Sequence, residues 1–255
     1  MQPERHPKPR NAAEFRFYAE LNDFLPAEER QVAFHHSFEG TPSVKDTIEA
    51  IGIPHTEIDV ILVNDRSVDF TYRLRGGERV SVYPVFERFD IADVTRLRPA
   101  PLRITSFVAD VHLGTLARYL RLLGFDTTWE RDLSDENIVE RSAREERIIL
   151  TRDRAILRHG RVTHGYWLRA IDPLRQLDEV VRALHLQRAI RPYTRCMECN
   201  GVLRDAAPAE VAGDVPRRVL ELHREFSKCD GCARVYWAGS HRKRLDAVVR
   251  RIRAG

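Results

Sequence analysis

No stretch of this sequence approaches the roughly 18 consecutive apolar residues that a membrane-spanning helix requires. The opening segment, Met1 to Arg10, is polar and proline-bearing and lacks the apolar core of a secretory signal, so the expected setting is the cytoplasm, with no membrane partner. Internal repeats and low-complexity tracts are also missing, which sets aside solenoids, fibres and disordered tails. Cysteine is scarce, with four in 255 residues, which does not suit a small secreted fold stapled by disulfides. What remains is an ordinary globular composition, 43% hydrophobic and 31% charged, in a chain long enough for two or three domains. We expect three.

Charge is unevenly spread. Residues 1–95 carry 11 basic and 17 acidic side chains, net −6, whereas residues 96–255 carry 31 and 21, net +10. A basic half suits a polyanion, since each phosphate contact releases condensed counterions, although arginine-rich surfaces also serve solubility. The acidic half suits a different partner, and for it a protein is expected.

In the first domain, expected over 12–95, "EFRFYAEL" and "QVAFHHSF" alternate apolar and polar residues with the period of a half-buried strand and should pair as a hairpin. After Pro42, Ser43 caps a short helix with Asp46 at the third position, Val44, Ile48 and Ile51 form its stripe, and Gly52 stops it. "IDVILVN" and "ERVSVYP" are further β-branched runs, the second introduced by the turn Gly76-Gly77. This order is that of a β-grasp, and "PSVKDTIEAIGIPHTEIDVILVNDRSVDF" followed by "LRGGERVSVYP" resembles the ubiquitin-like sulfur carriers of the ThiS and MoaD type. Carriers need a C-terminal Gly-Gly. Here the pair sits in a turn with the chain continuing past it, so a docking or stabilising module is expected instead.

"RLRPAPLR", 96–103, has prolines and no periodicity and reads as a linker. From there strands and helices alternate: "ITSFVAD", "GTLARYLRLLG", "FDTTW", "DENIVERSAREE", "RIILT", "HGYWLRAI", "PLRQLDEVVRALHL". The pattern predicts a parallel sheet with helices on both faces over 103–188. Such sheets bind ligands beyond the carboxyl ends of their strands. Asp110 and Asp153 each follow an apolar strand, and Asp135 with Glu136 opens the helix between them. Clustered carboxylates favour a hard cation, Mg²⁺ or Mn²⁺, which activates water and neutralises charge on a phosphate under attack. Asp is equally a favoured helix cap, and capping alone accounts for each of these residues. Arg118 and Arg121 on the first helix, and Arg152, Arg154 and Arg158 around Asp153, have two readings likewise. Arg118 and Arg152 are the candidates for phosphate contact, against plain solvated helix faces. Trp129, Tyr166 and Trp167 read as core or edge aromatics rather than base-stacking platforms.

All four cysteines lie in two C-x₂-C pairs, Cys196/Cys199 and Cys229/Cys232, over an expected ribbon at 193–246. Two such knuckles complete a tetrahedron of thiolates around one structural Zn²⁺. Asn200, Gly201 and Gly231 supply the tight backbone that knuckles need. Two disulfides, a redox C-x-x-C and an iron–sulfur cluster are the alternatives.

"FVADVHLGTLARYLRLLGFDT", "LSDENIVERSAREERIILTRDRAIL", "RCMECNGVL", "VPRRV" and "EFSKCDGCARVYWAGSHRKRLD" together resemble the Mut7-C RNase family, a PIN-like domain joined to a zinc ribbon, several of whose bacterial members also carry an N-terminal ubiquitin-like domain. The resemblance implies a PIN-type α/β nuclease fold and hydrolysis of RNA by metal-activated water. Carried over by position, it makes Asp110, Asp135 and Asp153 the catalytic and Mg²⁺- or Mn²⁺-binding residues. Asp172 is a weak match to the family's fourth acid, because "IDP" is also a helix start. The expected enzyme is therefore a ribonuclease, and the alternative is a non-catalytic RNA-binding or adaptor protein. A sulfur-transfer accessory is a third, remoter reading.

Overall fold

A computed structural model of the chain describes residues 10–84 and 105–254. The linker expected at 96–103 and the part of the first domain beyond residue 84 lie outside the described residues. Among the described residues no helix is long and apolar enough to cross a membrane. The chain divides into two compact units, Met1–Leu102 with Asp153–Tyr166, and Arg103–Arg152 with Trp167–Gly255.

In the first unit, β1 (Arg10–Phe17), β2 (Phe34–Glu39), α1 (Val44–Ile51), β3 (Ile58–Val63), β4 (Arg66–Val68) and β5 (Arg79–Pro84) build a five-stranded sheet in the order β2-β1-β5-β3-β4. β1 runs antiparallel to β2 and parallel to β5, so the first and last strands lie side by side, as in a β-grasp. Phe15 and Phe17 of β1 and Val44 and Ile48 of α1 are buried, each contributing roughly 1.5–3 kcal/mol through the apolar surface removed from water. The Ser43 hydroxyl caps α1 by accepting from the Asp46 amide at 3.0 Å, and Gly52 ends it with φ of 116°. Gly76 and Gly77 take φ of 108° and 85°, and the Glu78 carboxylate accepts from the amides of Arg75 and Gly76 at 2.7 and 2.8 Å. The Gly-Gly is thus fastened inside a turn, with no free tail for carrier chemistry.

The second strand begins later than its alternation suggests. Val32 is 47% exposed, and pairing with β1 starts only at Phe34. The cause is Asn22, whose Oδ1 accepts from the Gln31 amide at 2.6 Å while Gln31 adopts φ of 59°. That side chain replaces the sheet as the partner of the backbone here. β4 arises because Asn64 and Asp65 both take positive φ, the geometry of a two-residue hairpin turn.

The second unit continues through β6 (Ser106–Ala109), α2 (Gly114–Leu122), β7 (Asp126–Thr128), α3 (Asp135–Glu145) and β8 (Ile148–Thr151). Beyond them come α4 (Arg154–Leu157), whose residues group with the first unit, β9 (Gly165–Trp167) and α5 (Pro173–Ala183). The sheet order is β7-β6-β8-β9, with β6 parallel to both β7 and β8. The connection from β6 goes to one side and the return from β7 to the other, so the strand order reverses between β6 and β8. Ligands bind at that point in open α/β sheets. Leu116, Leu120 and Leu123 form the buried stripe that packs α2 into the unit, while α3 lies against β6 and β8. Finally β10 (Leu203–Ala206), α6 (Arg217–Leu222), β11 (Phe226–Cys229) and β12 (Val235–Trp237) form an antiparallel ribbon, and α7 (Ser240–Ala254) closes the chain. The ribbon has its own small core of Ala206, Val211, Val215 and Phe226, covered by Val219, Leu220, Val235 and Trp237.

Candidate functional site

The two cysteine pairs meet. Cys196 leads into β10 and Cys229 ends β11, and the four Sγ atoms all lie within 4.8 Å of one another. Cys196 and Cys232 are 3.7 Å apart and Cys199 and Cys229 3.3 Å, against an edge of about 3.8 Å for a tetrahedron with bonds of about 2.3 Å. Gly201 and Gly231 are glycines because of the sulfurs. A Cβ on Gly201 would stand 2.8 Å from Cys229 Sγ, and one on Gly231 3.3 Å from Cys199 Sγ. The positive φ that turns each knuckle is taken instead by Asn200 and Ala233, at 70° and 59°. Amides of Gly201, Gly231 and Cys232 point at the sulfurs from 3.3 to 3.5 Å, as donors do toward thiolates. Burial pushes the Cys196 thiol up, but the Cys199 amide and the Tyr236 hydroxyl, 3.0 Å away, bring it down to about 7. Burial leaves Cys199 and Cys229 above the ordinary thiol range, and Cys232 is also raised despite the Arg234 amide. Cationic metal is what would release those protons. These residues can hold one zinc ion, with no coordination position left open for chemistry.

The carboxylates sit differently. Asp110 directly follows β6, is 5% exposed, and its Oδ2 accepts from the Thr151 hydroxyl of β8 at 2.7 Å, while its amide donates to Leu150 O at 3.0 Å. It stands at the reversal point between β6 and β8. Asp135 is exposed in the first turn of α3, and the cap there is Ser134, whose hydroxyl accepts from the Asn137 amide at 3.3 Å. Asp153 is exposed and caps α4, accepting from the Ala155 amide at 2.7 Å. Its segment is fastened to the β-grasp: the two nitrogens of buried His55 lie 2.6 Å from Glu49 Oε1 and 2.7 Å from Val162 O, and Arg154 stacks on Phe24 at 4.8 Å. Asp172 caps α5 through the amides of Leu174 and Arg175. Among the described residues the cysteines form the one group of three or more His, Cys, Asp or Glu whose ligand atoms converge. Hard oxygen donors of this kind suit Mg²⁺, which keeps several waters and needs only one or two carboxylates.

Residues 105–249 match the family model described as the Mut7-C RNAse domain. The chain belongs to the Mut7-C RNAse family. Residues 10–90 match the Mut7-C ubiquitin model, in agreement with the β-grasp sheet. Comparisons with curated proteins and with solved structures each give no match.

In this Mut7-C chain the first knuckle is tied to the sheet domain by polar groups that single positions did not announce. Arg121, 3% exposed, donates from Nε to Thr127 O at 2.8 Å and from Nη1 to the carbonyls of Met197 and Glu198 at 3.2 and 2.7 Å. Burial draws its pKa below the usual guanidinium value, opposed by the charges of Cys196, Cys199 and Glu198. It faces the protein, not a substrate. Arg118, one turn earlier and exposed, pairs with Glu198 at 2.7 Å, and Arg152 is exposed beside Asp153. Trp129 donates to Val111 O, and Trp167 to Arg152 O.

Asp126 is the second tie. It accepts from Arg147 at 2.6 Å and Asn200 at 2.8 Å and faces Arg195 at 3.2 Å, while Asn200 Oδ1 accepts from the Thr127 amide. Burial pushes this carboxyl up, but Arg147 and Asn200 outweigh it and hold the pKa below the usual carboxylate range. A carboxylate with a lowered native pKa adds stability that is fully present above its unfolded pKa of about 4 and is lost as pH falls through the native value. The melting-temperature gap between wild type and Asp126→Asn should therefore hold constant from pH 7 to about 5 and shrink only below about 4. Thermal melts of both proteins at each pH check it; a gap that narrows between pH 7 and 5 would contradict this assignment.

Proposed function

We propose that this chain is a divalent-metal-dependent ribonuclease that hydrolyses RNA phosphodiester bonds with water. The reading is supported most by Asp110, a buried carboxylate held by Thr151 at the strand-order reversal of a domain that belongs to an RNAse family. Asp110 and Asp135 would hold Mg²⁺ or Mn²⁺, and Asp153 is a further candidate ligand that the family resemblance gives. Such an ion lowers the pKa of a coordinated water and neutralises charge developing on the phosphate. The chain's own groups supply position. Thr151 fixes the Asp110 carboxylate rotamer, the Ala155 amide fixes that of Asp153, and Arg118 and Arg152 offer planar forks for phosphate oxygens.

A second reading, a non-catalytic RNA-binding or adaptor protein, is favoured by one observation: Asp153 and Asp172 each engage a carboxylate oxygen in capping a helix. Cleavage assays on single-stranded and structured RNA with Mg²⁺ and with Mn²⁺ separate the two. Asp110→Asn and Asp153→Asn are each expected to lower the rate by about a hundredfold or more while RNA binding survives. Wild-type protein that binds RNA and cuts none with either cation would establish the adaptor reading instead.

A further inference from the structure

The Mut7-C unit also contains a groove of 1230 Å³ bounded by α2, the ribbon strands and α7, lined by neither Asp110 nor Asp135. It exceeds the roughly 300–1,000 Å³ typical of small-molecule pockets. Six arginines line it (Arg118, Arg195, Arg224, Arg234, Arg242 and Arg244) against three acids. Three of the six are anchored: Arg118 by Glu198 at 2.7 Å, Arg195 by Asp126 at 3.2 Å, and Arg242 by the Tyr193 ring at 3.8 Å. Arg234 shares Glu198 at 3.4 Å, and Arg224 and Arg244 have no side-chain hydrogen bond or ion pair among the described residues. The helix behind them extends the positive charge, with six Arg and Lys in α7 against the one carboxylate of Asp246. Tyr119 and Trp237 are half-buried in the wall. Cationic forks beside aromatic rings, in a groove roomier than one small ligand needs, match an extended phosphate backbone with splayed bases.

We propose that this groove holds one strand of RNA, with phosphates on Arg224, Arg234, Arg242 and Arg244 and a base against Tyr119 or Trp237. The proposal rests on the reading of the chain as an RNA-acting protein, and assigns its substrate grip to a surface built jointly by the nuclease-like helix, the ribbon and α7. A single strand is favoured over a duplex, because duplex RNA is read by shape across its wide minor groove and offers no unstacked base to a recessed ring.

The test is fluorescence anisotropy of full-length, zinc-loaded protein with a labelled oligouridylate of about 12 nucleotides, in buffer free of Mg²⁺ and Mn²⁺ so that the strand stays intact. The double variant Arg224→Gln/Arg244→Gln should bind about tenfold more weakly. Its plot of log affinity against log salt should be shallower by about 1.4, roughly 0.7 for each lost phosphate contact. The pair Arg224→Lys/Arg244→Lys should keep the wild-type slope, which guards against a folding defect in the first variant. An unchanged affinity and slope overturn the proposal, as does wild-type protein that binds no single strand, or that binds a duplex or polyglutamate of equal length as tightly. Binding without any cleavage by wild type sinks the nuclease and leaves the groove. Cleavage with undiminished binding by the glutamine variant does the reverse.

Discussion

Protein carrying Cys229→Ser is expected to be purified without zinc and with its ribbon unfolded, whereas wild type holds one zinc ion per chain and shows no visible iron–sulfur absorbance. The size of the effect follows from how little else holds residues 195–237 together. Their core has four buried members, Ala206, Val211, Val215 and Phe226, far fewer than an independent domain needs. Binding of structural zinc to such knuckles contributes on the order of 10–16 kcal/mol at neutral pH, and much of that is folding free energy. Serine cannot replace the thiolate, and Cys229 is also where the β11 ladder, the Ala233 turn and the Gly231 amide meet. Metal analysis gives the first readout. Hydrogen exchange gives the second: amides of β10, β11 and β12 should lose protection, while those of β6 and β8 keep theirs. A chelator should reproduce both changes in wild type. Full zinc occupancy in the serine variant, or retained protection of β11, would show that the metal does not organise the ribbon.

How legible such features are depends on whether the physics is local. A C-x₂-C knuckle is local, because two thiolates must reach one ion across a single tight turn, so spacing announced the cluster. Strand-end aspartates are nearly as local: Asp110 follows an apolar run and lies where the parallel sheet reverses its order. The leucine stripe of α2 and the Ser43 cap obey short-range rules as well. The late start of β2 was hidden because its cause, Asn22, lies nine residues upstream of Gln31 and acts through its side chain. Asp153 shows the same limit. Its place after β8 was readable, but the bond from His55 to the Val162 carbonyl joins residues 107 apart, and carbonyls carry no residue identity.

The segment opened by Asp153 groups with the β-grasp, tied there by His55 and by Arg154 on Phe24. Asp153 therefore owes its surroundings partly to residues from a different region of the chain. The Gly-Gly of the same module is held in its turn by the Glu78 carboxylate.

Arg121→Met should be the most damaging single change outside the cysteines and the sheet core. By sequence Arg118 and Arg121 both lie beside a leucine stripe, with Arg118 the candidate for phosphate contact. The structure separates them. Arg118 is exposed with a surface partner, whereas Arg121 is enclosed and satisfies three carbonyls, those of Thr127, Met197 and Glu198. Methionine of similar length fills the space but donates nothing, so one buried and two part-buried acceptors lose their partner, at up to about 1–3 kcal/mol each before relaxation. With water replacing some of these bonds, a net loss of about 3 kcal/mol is expected, a fall in melting temperature of about 6–12 °C for a unit of this size. Arg121→Lys should recover only part of it, because one ammonium cannot span carbonyls approached by both Nε and Nη1. Arg118→Met should leave the melting temperature within about 1–2 °C, as exposed ion pairs contribute little. The mutants differ in a further readout. Loss of Arg121 frees the Met197–Glu198 backbone, so zinc should leave the first knuckle faster when challenged with a chelator, while Arg118→Met should release it at the wild-type rate. Equal stability and equal zinc release in Arg121→Met and Arg118→Met would refute the role of Arg121 as the tie between α2 and the knuckle.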